Sequence, residues 1–416
     1  MTEIAIIAGV LFVYGLVSRA LLKVDVSAPM VFVAAGILFG ASVLGLAEMN
    51  PVSEVSLVVA EIALVVVLFA DASRSNLSGL REDGVLAGRL LAIGMPLTIA
   101  VGTAAAAVLL IGVDFWEGAV VAAILAPTDA ALGHPVVTSK LVPAKIRETI
   151  NIEAGLNDGL SIPFLLVFLG LAVDQTSVNP TDSAAFAIQQ IGLGALAGIV
   201  LGGGGGWLVA KAIGRGAMTW TFERLAMVGL AIGAWAAASA IDGNGFIAAF
   251  VAGLAVAKFQ PSFGGPILDF AEREGQLLSL VVFFVFGTAA IGYLEPVDFG
   301  IVVFALLTLT LVRMGPVAIA LTGSGLSRAS VSFIGWFGPR GLASIILLLV
   351  VIAEEPNLPA LDVAIAATTV TVLLSVFLHG VSAGPLSILY GRKVKELPPD
   401  APEFGRAGDT PIRRQG

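Results

Sequence analysis

The sequence predicts an all-α polytopic membrane protein, and three observations carry that prediction. The chain is 57% hydrophobic and 12% charged, with a mean hydropathy of +0.99, whereas soluble domains carry about 25% charged residues. Its apolar residues gather into thirteen stretches near the length of a membrane span, at 4–22, 29–46, 52–72, 85–112, 116–133, 147–173, 184–213, 219–240, 244–259, 267–293, 297–322, 330–353 and 361–388. The connectors between them alternate in the sign of their charge. One set holds Arg19 and Lys23; Arg74, Arg81 and Arg89; Lys140, Lys145 and Arg147; Lys211, Arg215 and Arg224; Lys258 and Arg273; Arg328; and then Arg392, Lys393 and Lys395. The other set holds Glu48, Glu54, Asp114, Glu117, Asp174, Asp182, Asp242, Glu295, Asp298, Glu354, Glu355 and Asp362, with no Lys or Arg. Cytoplasmic loops collect Lys and Arg. The N-terminus is therefore expected outside and the C-terminus in the cytoplasm, as an odd number of spans requires.

Composition removes several alternatives. There is no cysteine, hence no disulfide or thiolate metal site. The net charge is −8 and no soluble basic domain is present, so a nucleic-acid partner is not expected. Met1-Thr2-Glu3 lacks a basic n-region, and the apolar run continues to Leu22 without a small-residue cleavage site, which reads as a first span rather than a cleaved signal. Residues 1–390 read as one transmembrane domain. Residues 391–416, rich in proline, glycine and charge, read as a short disordered cytoplasmic tail. The run Gly202–Gly206 has no lysine and lies inside an apolar span, so it reads as close helix packing rather than a phosphate loop.

Two spans carry a proline beside a charge. The fifth contains Ala126-Pro127-Thr128-Asp129-Ala130 and the twelfth Phe337-Gly338-Pro339-Arg340-Gly341. Proline removes a backbone donor and clashes with the preceding turn, so each span is expected to unwind there and expose half-helix ends. If the seventh span is a linker, spans one to six and eight to thirteen form two inverted halves, each with its break in the fifth span. Interrupted helices at matching positions of inverted repeats point to a transport site.

Between the breaks in sequence lies Asn151-Ile152-Glu153-Ala154-Gly155-Leu156-Asn157-Asp158-Gly159. Charges in a hydrocarbon span are costly and mark ion or substrate paths. Glu153 and Asn157 share a helix face, while Asp158 is turned about 100° from Asn157. The buried acids are Glu61, Asp71, Asp129, Glu153 and Asp158; the buried bases are Arg313 and Arg340. Excess negative charge suits a cation, and carboxylate, carbonyl and hydroxyl oxygens are hard ligands. Asp158, Asp129 and Thr128 could then surround a small alkali ion, with proton and cation competing for Asp158. Glu153 and Arg340 are expected to pair, with Asn157 bonded to that pair, as a structural clamp. Arg313 lies nearer the cytoplasmic end of its span and is expected to snorkel. His134 and His379 read as solvated interface residues. Glu61 reads equally as a lining group or a packed polar contact.

These motifs, with Val142-Pro143 to Arg147, resemble the monovalent cation:proton antiporters of the NhaP/NHE type over residues 1–390. The resemblance implies thirteen spans with an inverted repeat, a homodimer, and no cofactor beyond the transported Na⁺ (or K⁺ or Li⁺) and H⁺. It implies Asp158 as essential carboxylate, Thr128 and Asp129 as ion ligands from the unwound helix, and Glu153, Asn157 and Arg340 as structural support. The Asn-Asp pair resembles the electroneutral branch. Two positions depart: Ala154 stands where many members have serine, and Asp71-Ala72-Ser73 where many have glutamate followed by glycines. Asp71 is therefore a second-tier site residue. The function expected is Na⁺ (or Li⁺) exchange for H⁺ across a bacterial or archaeal inner membrane. A potassium-preferring antiporter shares every motif. A passive channel would need a continuous pore, and an intramembrane aspartyl protease a Gly-x-Gly-Asp motif that is absent.

Overall fold

The structure, a computed structural model, describes residues 1–74, 85–174, 180–259 and 266–405. Arg81 and the tail beyond Gly405 lie outside them, as do the side chains of Asp174, Asp182 and Arg273. In order the helices are α1 (Thr2–Leu22), α2 (Ala28–Phe39), α3 (Glu54–Arg74), α4 (Val85–Leu109), α5 (Phe115–Ile124), α6 (Ala130–Val137), α7 (Ala144–Asp174), α8 (Pro180–Gly214), α9 (Trp220–Ser239), α10 (Gly245–Ala257), α11 (Pro266–Ala290), α12 (Phe299–Leu309), α13 (Leu311–Ala320), α14 (Arg328–Trp336), α15 (Leu342–Glu354) and α16 (Leu361–Val394). No strand occurs among the described residues; one isolated bridge pairs Gly40 with Ala47.

Helix falls within each apolar stretch read from the sequence. Among the described residues seven helical segments are long and apolar enough to cross a membrane: Thr2–Leu22, Glu54–Arg74, Val85–Leu109, Ala144–Val173, Ala185–Gly214, Phe299–Ala320 and Leu361–Val394. Others are shorter for identifiable reasons. α2 stops at Phe39 because the chain folds back there, and the Ala47 amide donates to the Phe39 carbonyl at 2.8 Å. The fifth and twelfth stretches are each split in two, α5 from α6 and α14 from α15, at Pro127 and Pro339.

Helix starts follow local capping chemistry. Asp114 and Glu117 form a capping box at α5, each side chain accepting the other's amide at 2.9 Å. Asn244, Asp298 and Ser327 cap α10, α12 and α14 by accepting the amides of Ile247, Ile301 and Ser330. α4 carries a π turn over Leu90–Gly94, just before Pro96 removes a helical donor.

Close backbone approach holds the bundle together. A β-carbon on Gly287 would lie 2.5 Å from the Val33 carbonyl and 3.0 Å from the Gly36 Cα, so α2 and α11 meet glycine to glycine. On α8, Gly202 lies against the Ala252 backbone of α10, Gly205 against Leu230 and Gly206 against Phe259, while Gly203 and Gly204 face open space. The glycine run is thus a packing face on one side only. α1 has no buried residue along its apolar length.

The C-terminal segment departs from expectation. Instead of a tail beginning at Gly391, α16 continues to Val394, and the chain packs back as far as Gly405. Glu403 is 1% exposed and accepts hydrogen bonds from the Ser327 amide at 2.8 Å and the Ser330 hydroxyl at 2.7 Å. Burial alone would raise its pKa, but those bonds hold the carboxyl below its ordinary value. A composition rich in proline and charge does not reveal that one glutamate has a buried set of donors waiting.

Gly202→Ala places a methyl 2.5 Å from the Ala252 Cα and is expected to destabilise the protein by about 1–3 kcal/mol. Gly204→Ala, with nothing within 4 Å, should instead stabilise α8 by roughly 0.5–1 kcal/mol. Thermal unfolding of both variants in detergent checks the contrast.

Candidate functional site

The two breaks cross, and each supplies a charge to the other's helix end. The Asp129 amide donates to the Pro339 carbonyl at 2.7 Å. The Asp129 carboxylate caps two helix N-termini at once: Oδ1 accepts the Leu132 amide of α6 at 3.2 Å, and Oδ2 the Leu342 amide of α15 at 2.8 Å. Arg340 does the converse. Its Nε donates to the Leu125 carbonyl at the C-terminal end of α5 at 2.8 Å, and its Nη1 to the Gly338 carbonyl. The Ser344 hydroxyl adds a bond to the Ile124 carbonyl at 2.8 Å. An anion at helix N-termini and a cation at a C-terminus each match the helix dipole. Gly341 is required here, because a β-carbon would collide with the Asp129 carboxylate.

α7 docks against the first break through Asn157. Its Nδ2 donates to Thr128 Oγ1 at 2.7 Å, and its Oδ1 accepts the Thr128 amide at 3.3 Å. This reciprocal pair pins the unwound residue to α7 and fixes the orientation of the carboxamide. Two residues earlier, on nearly the opposite face of α7, Gly155 abuts Asp71 of α3, where a β-carbon would lie 3.3 Å from the Asp71 Cβ. By the helical repeat Asp158 falls between the Asp71 face and the Thr128 face. Asp158 is 7% exposed and Asp129 6%.

Glu153 does not pair with Arg340. It forms a two-pronged ion pair with Arg313, Oε1 to Nη1 at 2.6 Å and Oε2 to Nη2 at 2.7 Å. Arg313 is 1% exposed and does not snorkel. Asn157 accordingly bonds Thr128 and not an ion pair. The pair still serves the breaks, because the Arg313 guanidinium packs on Gly338, where a β-carbon would lie 2.6 Å from Nε. Two buried arginines were available to one glutamate, and sequence spacing cannot choose between them.

His379 is the residue that sequence reasoning placed worst. It is 1% exposed, not solvated. Its Nε2 lies 2.9 Å from the Trp336 carbonyl, and its Nδ1 3.2 Å from the Ser375 hydroxyl, which in turn accepts the Arg340 amide at 2.6 Å. With the Nε2–H tautomer the ring donates to the Trp336 carbonyl and accepts from the Ser375 hydroxyl, so α16 holds both lips of the second break. A histidine and a serine four apart on one helix face were the available signal. Glu61 stands about 15 Å along α3 from Asp71 and does not join the site.

Thr128, Asp129, Asn157 and Arg340 therefore meet at the crossing, with Asp71 and Asp158 on the adjoining α3–α7 contact and the Glu153–Arg313 pair behind the second break. Among the described residues no group of three or more His, Cys, Asp or Glu side chains could hold a metal ion.

A family model described as sodium/hydrogen exchanger, transmembrane, matches residues 7–389. A K(+)/H(+) antiporter NhaP of Alkalimonas amylolytica is 26% identical over 403 residues, covering 95% of this chain and 68% of that protein. A K(+)/H(+) antiporter NhaP2 of Shewanella baltica is 27% identical, with 91% and 64% covered. A Na(+)/H(+) antiporter NhaP of Pseudomonas aeruginosa is 28% identical, with 77% and 78% covered. The chain thus spans about two thirds of the length of the first two relatives. The solved structure of the sodium proton antiporter MjNhaP1 from Methanocaldococcus jannaschii at pH 8 superposes with a TM-score of 0.76 at 22% identity, covering 94% of this chain and 98% of that one. At that identity the likeness speaks for the fold.

Removing either partner of the buried Glu153–Arg313 pair leaves an uncompensated charge and is expected to cost about 3–5 kcal/mol. Glu153→Ala/Arg313→Ala should cost clearly less than the sum of the two singles, measured by thermal unfolding in detergent. Strict additivity would remove the pairing as a source of stability.

Proposed function

This chain belongs to the sodium/hydrogen exchanger family, and on that premise we propose that it exchanges Na⁺ or Li⁺ for H⁺ by alternating access, one cation for one proton. The observation that carries the proposal is the placement of a buried Asn157–Asp158 pair against two crossed helix breaks. Asn157 is consumed in holding Thr128. Asp158, turned off that face by the helical repeat, is the group proposed to load. It holds either a proton or a cation, because a carboxylate neutralised by one no longer attracts the other. Exchange then follows from competition at one site, with no separate coupling device. Thr128, Asp129 and Asp71 are the candidate further ligands. Asp129 enters that role from a position already shaped by its two helix caps, which favours a supporting over a leading part.

The finer architecture belongs to the same proposal. Thirteen crossings in two inverted six-helix halves, α8 as linker, an outside N-terminus and a cytoplasmic C-terminus are supported by the alternating connector charge and by the matching positions of the breaks. The membrane is that of a bacterial or archaeal cell. A homodimer is consistent with α1, whose exposed apolar residues, among them Ile4, Phe12 and Leu16, need lipid or a second copy. The chemistry is transport, with no cofactor required.

A potassium-preferring exchanger is the second reading, and two observations favour it. Two of the relatives described above are named K(+)/H(+) antiporters. Ala154, buried on α7, also supplies no hydroxyl, which suits a larger ion with looser coordination.

Asp158→Asn is expected to abolish cation-driven proton flux in proteoliposomes while leaving the thermal unfolding midpoint close to that of the native chain, since the carboxamide keeps the side chain's volume. Persistent exchange in that variant would remove Asp158 from the loading role. Comparing Na⁺, Li⁺ and K⁺ in the same vesicles decides between the two ion preferences, and conductance without proton counterflow would indicate a channel.

A further inference from the structure

A groove between α14 and α16, outside the crossing, has the composition of a ligand site. Its volume is about 420 Å³, within the ~300–1,000 Å³ of small-molecule pockets. Arg328, which opens α14, and Lys393, in the last turn of α16, stand among its lining residues and are exposed. Below them the wall is apolar and aromatic, with Trp336, Tyr390, Leu386 and Leu389. Among the described residues no carboxylate lines it, and Glu403 is engaged by Ser327 and Ser330. Leu389 is 51% exposed and Ile388 beside it 49%, so the groove opens onto the apolar outer surface of α16.

Two cations above an apolar cleft that faces outward match a molecule with an anionic head and a hydrocarbon tail. The geometry points to a binding site for one anionic phospholipid, its phosphate between Arg328 and Lys393 and an acyl chain along Leu386 and Leu389. Both cations belong to the connector set that positive-inside asymmetry assigns to the cytoplasm, the leaflet that carries anionic lipid. Tyr390 and Trp336 supply aromatic rings to the wall, and the Trp336 indole N–H is bonded to the Ser382 hydroxyl at 3.0 Å. Tyr390 is already held, its ring stacked on Phe333 at 4.1 Å and its hydroxyl 2.8 Å from Ser330. The floor of the groove is therefore preformed.

Occupancy bears on the site described above. Trp336 is the last residue of α14 and its carbonyl is the one His379 grips; Phe337, also in the lining, is the first residue of the second break. A lipid seated here would clamp α14 to α16 immediately beside the break. The inference goes beyond the exchange reaction, and its test needs no transport measurement.

Purified full-length protein in detergent is titrated with dioleoyl phosphatidylglycerol or dioleoyl phosphatidylcholine, and bound lipid is counted by native mass spectrometry. One phosphatidylglycerol should be retained in preference to phosphatidylcholine. Arg328→Ala/Lys393→Ala, both exposed and outside the core, should weaken it about thirtyfold, from two basic residues at the membrane surface. Ser332→Trp, which fills the groove and leaves both cations, should displace the same lipid. Unchanged phosphatidylglycerol retention in the double variant overturns the proposal. So does glycerol phosphate binding as tightly as the lipid, which would make this a plain anion site. A change of oligomeric state in the groove variants without loss of lipid would assign the groove to a second copy of the chain and overturn it equally.

Discussion

The crossing of two unwound segments is the constraint on which the rest of the structure depends. Breaking a helix inside an apolar layer leaves amides and carbonyls that lipid cannot satisfy. Here each break is satisfied by the other. Asp129 takes the amides that α6 and α15 expose, and Arg340 takes the carbonyls that α5 exposes. The two charges are separated in sequence by more than half the chain, yet neither is stable in place without the opposing helix end. This explains why proline and a charged residue occur together at both sites: the proline opens the helix and the charge closes the electrostatic account.

The surrounding shell keeps that crossing open. Asn157 ties α7 to Thr128, the Glu153–Arg313 pair backs Gly338, and Ser375 with His379 ties α16 to both lips of the second break. Buried ion pairs recover their desolvation cost only with good geometry. The two-pronged contact of Glu153 with Arg313 provides it, and it frees Arg340 to face backbone carbonyls. On the exchange proposed above, Asp158 is the carboxylate that changes its charge during function. A bundle so closely packed through glycines suits movement of the core as a body better than local repacking.

Much of this was legible in the sequence, for physical reasons that can be named. The apolar stretches and the breaks at Pro127 and Pro339 follow from chemistry within a few residues of each other. What was not legible depends on which segments meet. Arg313 and Arg340 were equivalent partners for Glu153 until their helices were placed. His379 looked solvated because it lies near the end of an apolar stretch, but α16 runs on to Val394 and buries it. Glu403 looked like tail because its donors, Ser327 and Ser330, are on a distant helix. The two caps made by Asp129 were not legible because an N-cap shared between two helices has no signature in one dimension.

The measurement that tests the competition at Asp158 most directly is proton release on cation binding. Purified protein in weakly buffered detergent solution is titrated with Na⁺ or K⁺ while protons released and cations bound are both counted, for the native chain and for Asp158→Asn. Cation binding that deprotonates a ligand must release protons, and about one proton per cation is expected from the native chain and none from the variant. Cation binding without proton release, or release that persists without the Asp158 carboxylate, would contradict a single shared site.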